Sequence, residues 1–203
     1  IRSYKAEKLS TWVNLVLTNC ASEALETYTQ DLTNYSIAIT RDIEKAKRWL
    51  SGKCKGSRRM GLVASSGGRR LRPYGVEVRT ELEVAEWFLN PRDDIRSSYY
   101  LEQPATEFKI QGLELDWIGV CWDLDLKRTD KWDFNAFSGT KWQKAKNLEM
   151  QKFILNKYRV LLTRAREGMV IFVPPGDCED YTRPVEEYDK IANYLISCGV
   201  AEI

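Results

Sequence analysis

Residues 158–174 read YRVLLTRAREGMVIFVP, and their reading decides the fold. The apolar positions Ile154, Tyr158, Leu161, Leu162 and Ala165 recur at helical spacing, predicting a helix over about Leu148 to Ala165. Gly168 follows, and then MVIFVP is a short uninterrupted apolar run of the kind that forms a strand buried on both faces. Arg164 and Arg166 fall at the junction. They have two readings. Cations near a helix C-terminus are favoured by the macrodipole by ~0.3–1 kcal/mol. Alternatively, Arg164 projects from a rigid element toward a phosphate, where an arginine can be worth on the order of 10³–10⁵ in phosphoryl-transfer rate. Spacing alone leaves both open.

Outward from this junction, helical and strand patterns alternate. YKAEKLSTWVNLVL places Leu9, Trp12, Val13, Val16 and Leu17 on one helical face, and ASEALETYTQ predicts a second helix, so residues 1–30 form a helical entry segment. YSIAIT reads as a strand, and DIEKAKRWL as a helix capped by Asp42. MGLVASS is a short buried strand ending in the small-residue turn SSGG, VAEWFL a short helix, and DWIGVCW a β-rich run. LKRTDKWDFNAFSGTKWQ predicts a hairpin or ordered loop, and VEEYDKIANYLISCG a closing helix stopped by Gly199. Such alternation predicts one α/β domain over 1–203, with a mostly parallel sheet and helices on both faces.

Composition excludes several chemistries. There is no histidine, which rules out Ser-His-Asp and Cys-His catalysis and His-ligated metal sites. Five scattered cysteines without a CxxC pair read as reduced thiols of a cytoplasmic protein and give no zinc site. No apolar run approaches the ~18 residues that span a membrane. Net charge is only +2, but Lys45 to Arg72 holds ten basic residues and no acidic one, whereas Gly176 to Ile203 is predominantly acidic. Lys53, Lys55, Arg58, Arg59, Arg69, Arg70 and Arg72, with Tyr74 nearby, form either a phosphate-tracking groove or a solvated surface. The chain begins at Ile1 rather than Met, which suggests a piece of something longer.

A second stretch, ATEFKIQGLELDWIGV (Ala105 to Val120), carries a polar turn ending in Gly112 and then Glu114 before a buried strand. In α/β sheets ligands gather at such loops, and a glycine lets the backbone approach them closely. An ordinary connection with solvated Glu114 and Asp116 is the other reading.

Together the two stretches resemble superfamily 1 helicases. TEFKIQGLELD is similar to motif V, close to T-x-H-x-x-K/Q-G-x-E: Thr106, Gln111, Gly112 and Glu114 match, and Phe108 replaces the usual His. YRVLLTRAREGMVIFV is similar to motif VI, close to Y-V-A-L-T-R-A, through Tyr158, Leu162, Thr163, Arg164 and Ala165. Through RSYKAEKLS, GLVASSGGRRLRP, FSGTKWQ and YRVLLTRAREGMVIFVP, the chain looks like the C-terminal half of a bacterial ATPase family related to the Schlafen-type helicase domain.

The resemblance implies the second RecA-like lobe of a two-lobe motor that binds ATP with Mg²⁺ against an N-terminal RecA-like lobe of the same polypeptide. It implies Arg164 as arginine finger, Glu114 as acceptor from the ribose, and Gln111 with Gly112 at the pocket edge. Arg2, in IRSYKAE, sits where a motif following the first lobe carries an Arg-Ser pair. Thr106, Lys109, Ser66, Arg69 and Arg70 are implied at the nucleic acid, DNA or RNA. Ser65 occupies a position where an Arg is often found, and Arg69 or Arg70 is the candidate replacement. Nothing fits G-x-x-x-x-G-K-[ST] and no Walker B acid stands in order, so the chain alone is expected to hydrolyse no ATP. Two readings compete with the motor: a non-catalytic nucleic-acid-binding or regulatory module of the same fold, and a nuclease using Asp116, Asp123, Asp125 and Glu149 as Mg²⁺ ligands. The E-x-K spacing of the last is absent.

Overall fold

A computed structural model describes residues 2–203, with side chains from Tyr4 onward. The chain opens as a helical hairpin. In α1 (Arg2–Leu17) the five apolar positions at helical spacing are all buried, and Asn19, at φ 66°, turns the chain into α2 (Ala21–Asp31). The apolar run of β1 (Ser36–Thr40) ends at Asp42, whose carboxylate accepts from the Glu44 and Lys45 amides and so starts α3 (Ile43–Lys53). β2 (Met60–Ala64), buried throughout, leads through Ser65-Ser66-Gly67-Gly68 into a 3-10 turn over Arg69–Tyr74.

After α4 (Val84–Leu89) come two very short elements, β3 (Ala105–Thr106) and α5 (Glu107–Ile110), and then β4 (Leu115–Cys121). The expected hairpin is a separate antiparallel sheet of β5 (Leu126–Arg128), β6 (Trp132–Ser138) and β7 (Lys141–Lys144). Asn147 caps α6 (Leu148–Leu162), followed by β8 (Ala165–Phe172), α7 (Val185–Ser197) and β9 (Ala201–Glu202).

Among the described residues the main sheet has six strands, all parallel, in the order β3-β2-β4-β8-β1-β9. Alternate side chains divide between two cores. Ala38, Leu62, Val170 and Phe172 pack with Ala46 and Leu50 of α3, while Ile37, Ile39, Val63, Met169 and Ile171 join the core built with α1, α6 and α7. Helices therefore cover both faces, as expected, in an arrangement compatible with a RecA-like lobe.

One boundary differs from expectation. The helix stops at Leu162, and the strand begins at Ala165 rather than Met169. Thr163, the C-cap, turns its hydroxyl back onto the Arg159 and Val160 carbonyls. Ala165 pairs with Leu115, and Gly168 with both Ser36 and Trp117. Gly168 is thus a strand residue, and a Cβ there would lie 2.4 Å from the Ser36 carbonyl oxygen.

Candidate functional site

Backbone pairing brings the two distant motifs together. The Leu115 amide donates to the Arg164 carbonyl at 3.1 Å, so Glu114 and Arg164 emerge side by side where β4 and β8 begin. With Lys5 and Ser10 of α1 and the buried Tyr35, they line a cleft of about 240 Å³. Tyr35 fixes the floor, its hydroxyl donating to the Ala165 carbonyl at 3.0 Å.

The cleft is cationic. Among the described residues, Lys5, Arg164 and Arg166 line it with one carboxylate, Glu114. Arg166 Nε donates to Glu114 Oε2 at 3.0 Å, with both side chains nearly half exposed. Arg166 is therefore a strand residue paired across to β4's entry, and the helix-end role sequence allowed it does not hold. Arg164, half-buried, folds its Nε onto the Val160 carbonyl at 3.2 Å and its Nη2 toward Thr163 Oγ1 at 3.4 Å. No ion pair joins Arg164 to a carboxylate among the described residues. Gln111 and Gly112 (φ 81°) form the exposed turn before Glu114 and do not line the cleft. The Arg2 side chain lies outside the described residues.

The remaining candidates sit at the opposite edge of the sheet, where strands end. β4 spans seven residues, so the edges are separated by roughly 20 Å at the usual rise per strand residue. Thr106 ends β3 and is buried. Ser66 donates its amide (2.8 Å) and hydroxyl (2.6 Å) to the carboxylate of Glu107, the residue after Thr106. Lys157, from α6, donates to Ser66 Oγ at 2.9 Å and lies 3.5 Å from Glu107 Oε1. Lys109 is exposed beside them.

Behind this loop lies a buried acidic pair. Asp125 accepts from the Ser65 hydroxyl and, at 2.5 Å, from Tyr158. Asp123 accepts from the Tyr188 hydroxyl and from the Leu124 and Arg70 amides. Burial, with the neighbouring Asp125 charge second, pushes the Asp123 carboxyl up to about 7, and burial raises Asp125 also.

This placement corrects three expectations. Arg69 and Arg70 do not stand in for the arginine missing at Ser65 beside Arg164, because β2 carries all three positions to the far edge. The basic tract is not one groove. Arg58 pairs with Glu167 at the cleft edge, Arg72 pairs with Glu77, and Arg70 is held by Thr182 and Asp180 at 2.8 and 3.0 Å. The nuclease set is dispersed: Asp116 accepts from the Arg59 amide at one edge, Asp123 and Asp125 are sealed at the other, and Glu149 is exposed on α6. Among the described residues no three acidic or cysteine side chains gather as metal ligands.

Sequence reasoning missed Lys157 and the Arg166–Glu114 pair. Lys157 carried a signal, since its spacing from Ile154 and Leu161 puts it on the core face of α6. Trp142 of β7 packs partly buried against the core, its Nε1 donating to the Thr182 carbonyl at 2.9 Å. No described helix is long and apolar enough to cross a membrane.

A family model described as Schlafen group 3, DNA/RNA helicase domain, matches residues 1–175, from α1 through β8. No curated protein matches the chain.

Proposed function

The chain belongs to the Schlafen group 3 DNA/RNA helicase domain family, and from that premise we propose that it is the second RecA-like lobe of an ATP-dependent helicase or translocase. The observation that carries the proposal is the backbone bond from Leu115 to Arg164, which sets Glu114 and Arg164 on one cleft. A cleft that, among the described residues, has three cations and one carboxylate suits a nucleotide: the cations attract the polyphosphate, and the carboxylate accepts from a ribose hydroxyl.

In this reading ATP with Mg²⁺ lies between this cleft and an N-terminal lobe of the same polypeptide that carries the P-loop. Mg²⁺ bound with the phosphates would supply charge neutralisation there. Arg164 swings from the helix end toward the γ-phosphate and stabilises charge in the transition state. Its present bonds are to one carbonyl and one hydroxyl, so little is lost when it turns outward. Glu114 exchanges Arg166 for the ribose. Thr106, Lys109, Ser66 and Arg69 serve nucleic acid at the far edge, while the Arg70 guanidinium, engaged by Asp180 and Thr182, does not. The five free cysteines suit a cytoplasmic setting.

The Arg166–Glu114 pair and the folded-back Arg164 also suit a second reading, a nucleic-acid-binding module whose cleft is idle. ATP turnover separates the two. The 203-residue chain alone should hydrolyse none, and joining it to a P-loop lobe should produce hydrolysis. Turnover by the isolated chain that vanishes in Arg164→Ala would overturn the two-lobe account, and none in the joined protein would favour the module.

A further inference from the structure

The strand-end edge carries an aromatic surface that neither core uses. Phe108 of α5 and Phe153 of α6 are 60% and 44% exposed, yet their rings meet with centroids 6.2 Å apart and planes 39° from one another. Met150, one turn from Phe153, is exposed as well and lines, with Ser66, Arg69, Phe137 and Lys157, a shallow dent of about 190 Å³. The two rings come from elements far apart in sequence.

The rim identifies the occupant. The Lys157 ammonium lies 4.8 Å from the Phe153 ring centroid. Lys109 and Lys152 are exposed neighbours of Phe108 and Phe153 in sequence, and Arg69 borders the dent. Two acids lie beneath them, both buried: Glu107, answered by Lys157 and the Ser66 donors, and Asp125, which lines the dent and accepts from Ser65 and Tyr158. An apolar protein partner would be poorly served by flat rings ringed with cations. Unpaired bases stack on such rings while their phosphates meet the lysines.

We propose that Phe108 and Phe153 form a base-stacking platform for a single, unpaired nucleic-acid strand whose phosphates follow Lys109, Lys152 and Arg69. The proposal rests on assigning nucleic acid to this edge, and goes beyond it by stating that bases, not phosphates alone, are held. It also gives a role to Phe108, which stands where the resembled motif carries His.

The test compares a ~16-nucleotide thymidylate strand, an abasic strand of equal length and a matched duplex, by fluorescence anisotropy over a salt series. The thymidylate strand should bind about tenfold more tightly than the abasic strand, within what one stacked base contributes. Phe108→Ala and Phe153→Ala should each remove about that factor for thymidylate, leaving abasic binding, salt slope and melting temperature unchanged, while Phe108→Trp keeps it. Equal affinity for both strands, or alanine variants that weaken both alike, would overturn the platform and leave a phosphate-only edge standing. Failure of every probe to bind would sink both the platform and the nucleic-acid edge beneath it.

Discussion

Arg166 and Arg164, two residues apart, reach opposite fates at the mouth of one cleft. Arg166 closes an ion pair with Glu114 at 3.0 Å, and Arg164 rests on the carbonyl of its own helix end. Pairing of Ala165 with Leu115 where the two strands begin brings Arg166, the residue after Ala165, within side-chain reach of Glu114, the residue before Leu115. The helix end accounts for Arg164, whose guanidinium is left without a carboxylate among the described residues.

Gly168 holds the centre of the sheet together by having no side chain. A methyl there would meet the Ser36 carbonyl at 2.4 Å and the Trp117 ring at 2.6 Å, and neither can retreat from a paired strand. Gly168→Ala should lower unfolding free energy by about 3 kcal/mol in a denaturant titration. Gly52→Ala, in α3 with nothing within 4 Å, should raise it by ~0.5–1 kcal/mol. Equal effects at the two positions would contradict the close approach.

Lys157 is the only cation facing the buried Glu107 carboxylate among the described ion pairs, with side chains 10% and 6% exposed. Lys157→Met strands that charge in the core and should cost about 3–5 kcal/mol. Adding Glu107→Gln removes the charge and should restore more than half of the loss, read by chemical denaturation of both variants. A double variant no more stable than Lys157→Met would show that packing, not charge, sets the cost.

The buried acids make stability depend on pH. A carboxyl whose folded pKa stands at about 7, against roughly 3.9 unfolded, holds its proton longer in the folded state. Its contribution to stability is full below pH ~4 and is lost as pH rises through ~7, with a slope of up to about 1.4 kcal/mol per pH unit. Asp125→Asn removes the neighbouring charge and should flatten the stability profile between pH ~5 and ~7. Parallel profiles for parent and variant would refute the coupling of Asp123 to Asp125.

Much of the fold was legible from periodicity. The stripes of α1, α6 and α7 and the apolar runs of β1, β2, β4 and β8 each announce their element, because each buries a face. The start of β8 was not legible. Ala-Arg-Glu-Gly lacks strand character, and its conformation comes from pairing with Leu115, Trp117 and Ser36, all distant in sequence. β3 and α5, of two and four residues, are too short to show a period.

The site was legible only in part. Glu114 and Arg164 were singled out through the motifs they resemble, but the bond that joins them depends on register. Arg70 was assigned to nucleic acid for its place in a basic tract. Its partners Asp180 and Thr182 lie more than a hundred residues away, beyond any local pattern.

The central proposal is that Arg164 acts on the γ-phosphate in the chemical step, while Arg166, released by Glu114 when nucleotide binds, takes no part in that step. Single-turnover ATP hydrolysis at saturating nucleotide, in the protein carrying both lobes, tests it most directly. Arg164→Ala should slow the chemical step by on the order of 10³ or more with nucleotide affinity little changed, and Arg166→Ala should leave that step nearly intact. An Arg164→Ala protein whose hydrolysis stays within about tenfold of the parent, or one equalled in its loss by Arg166→Ala, would contradict it.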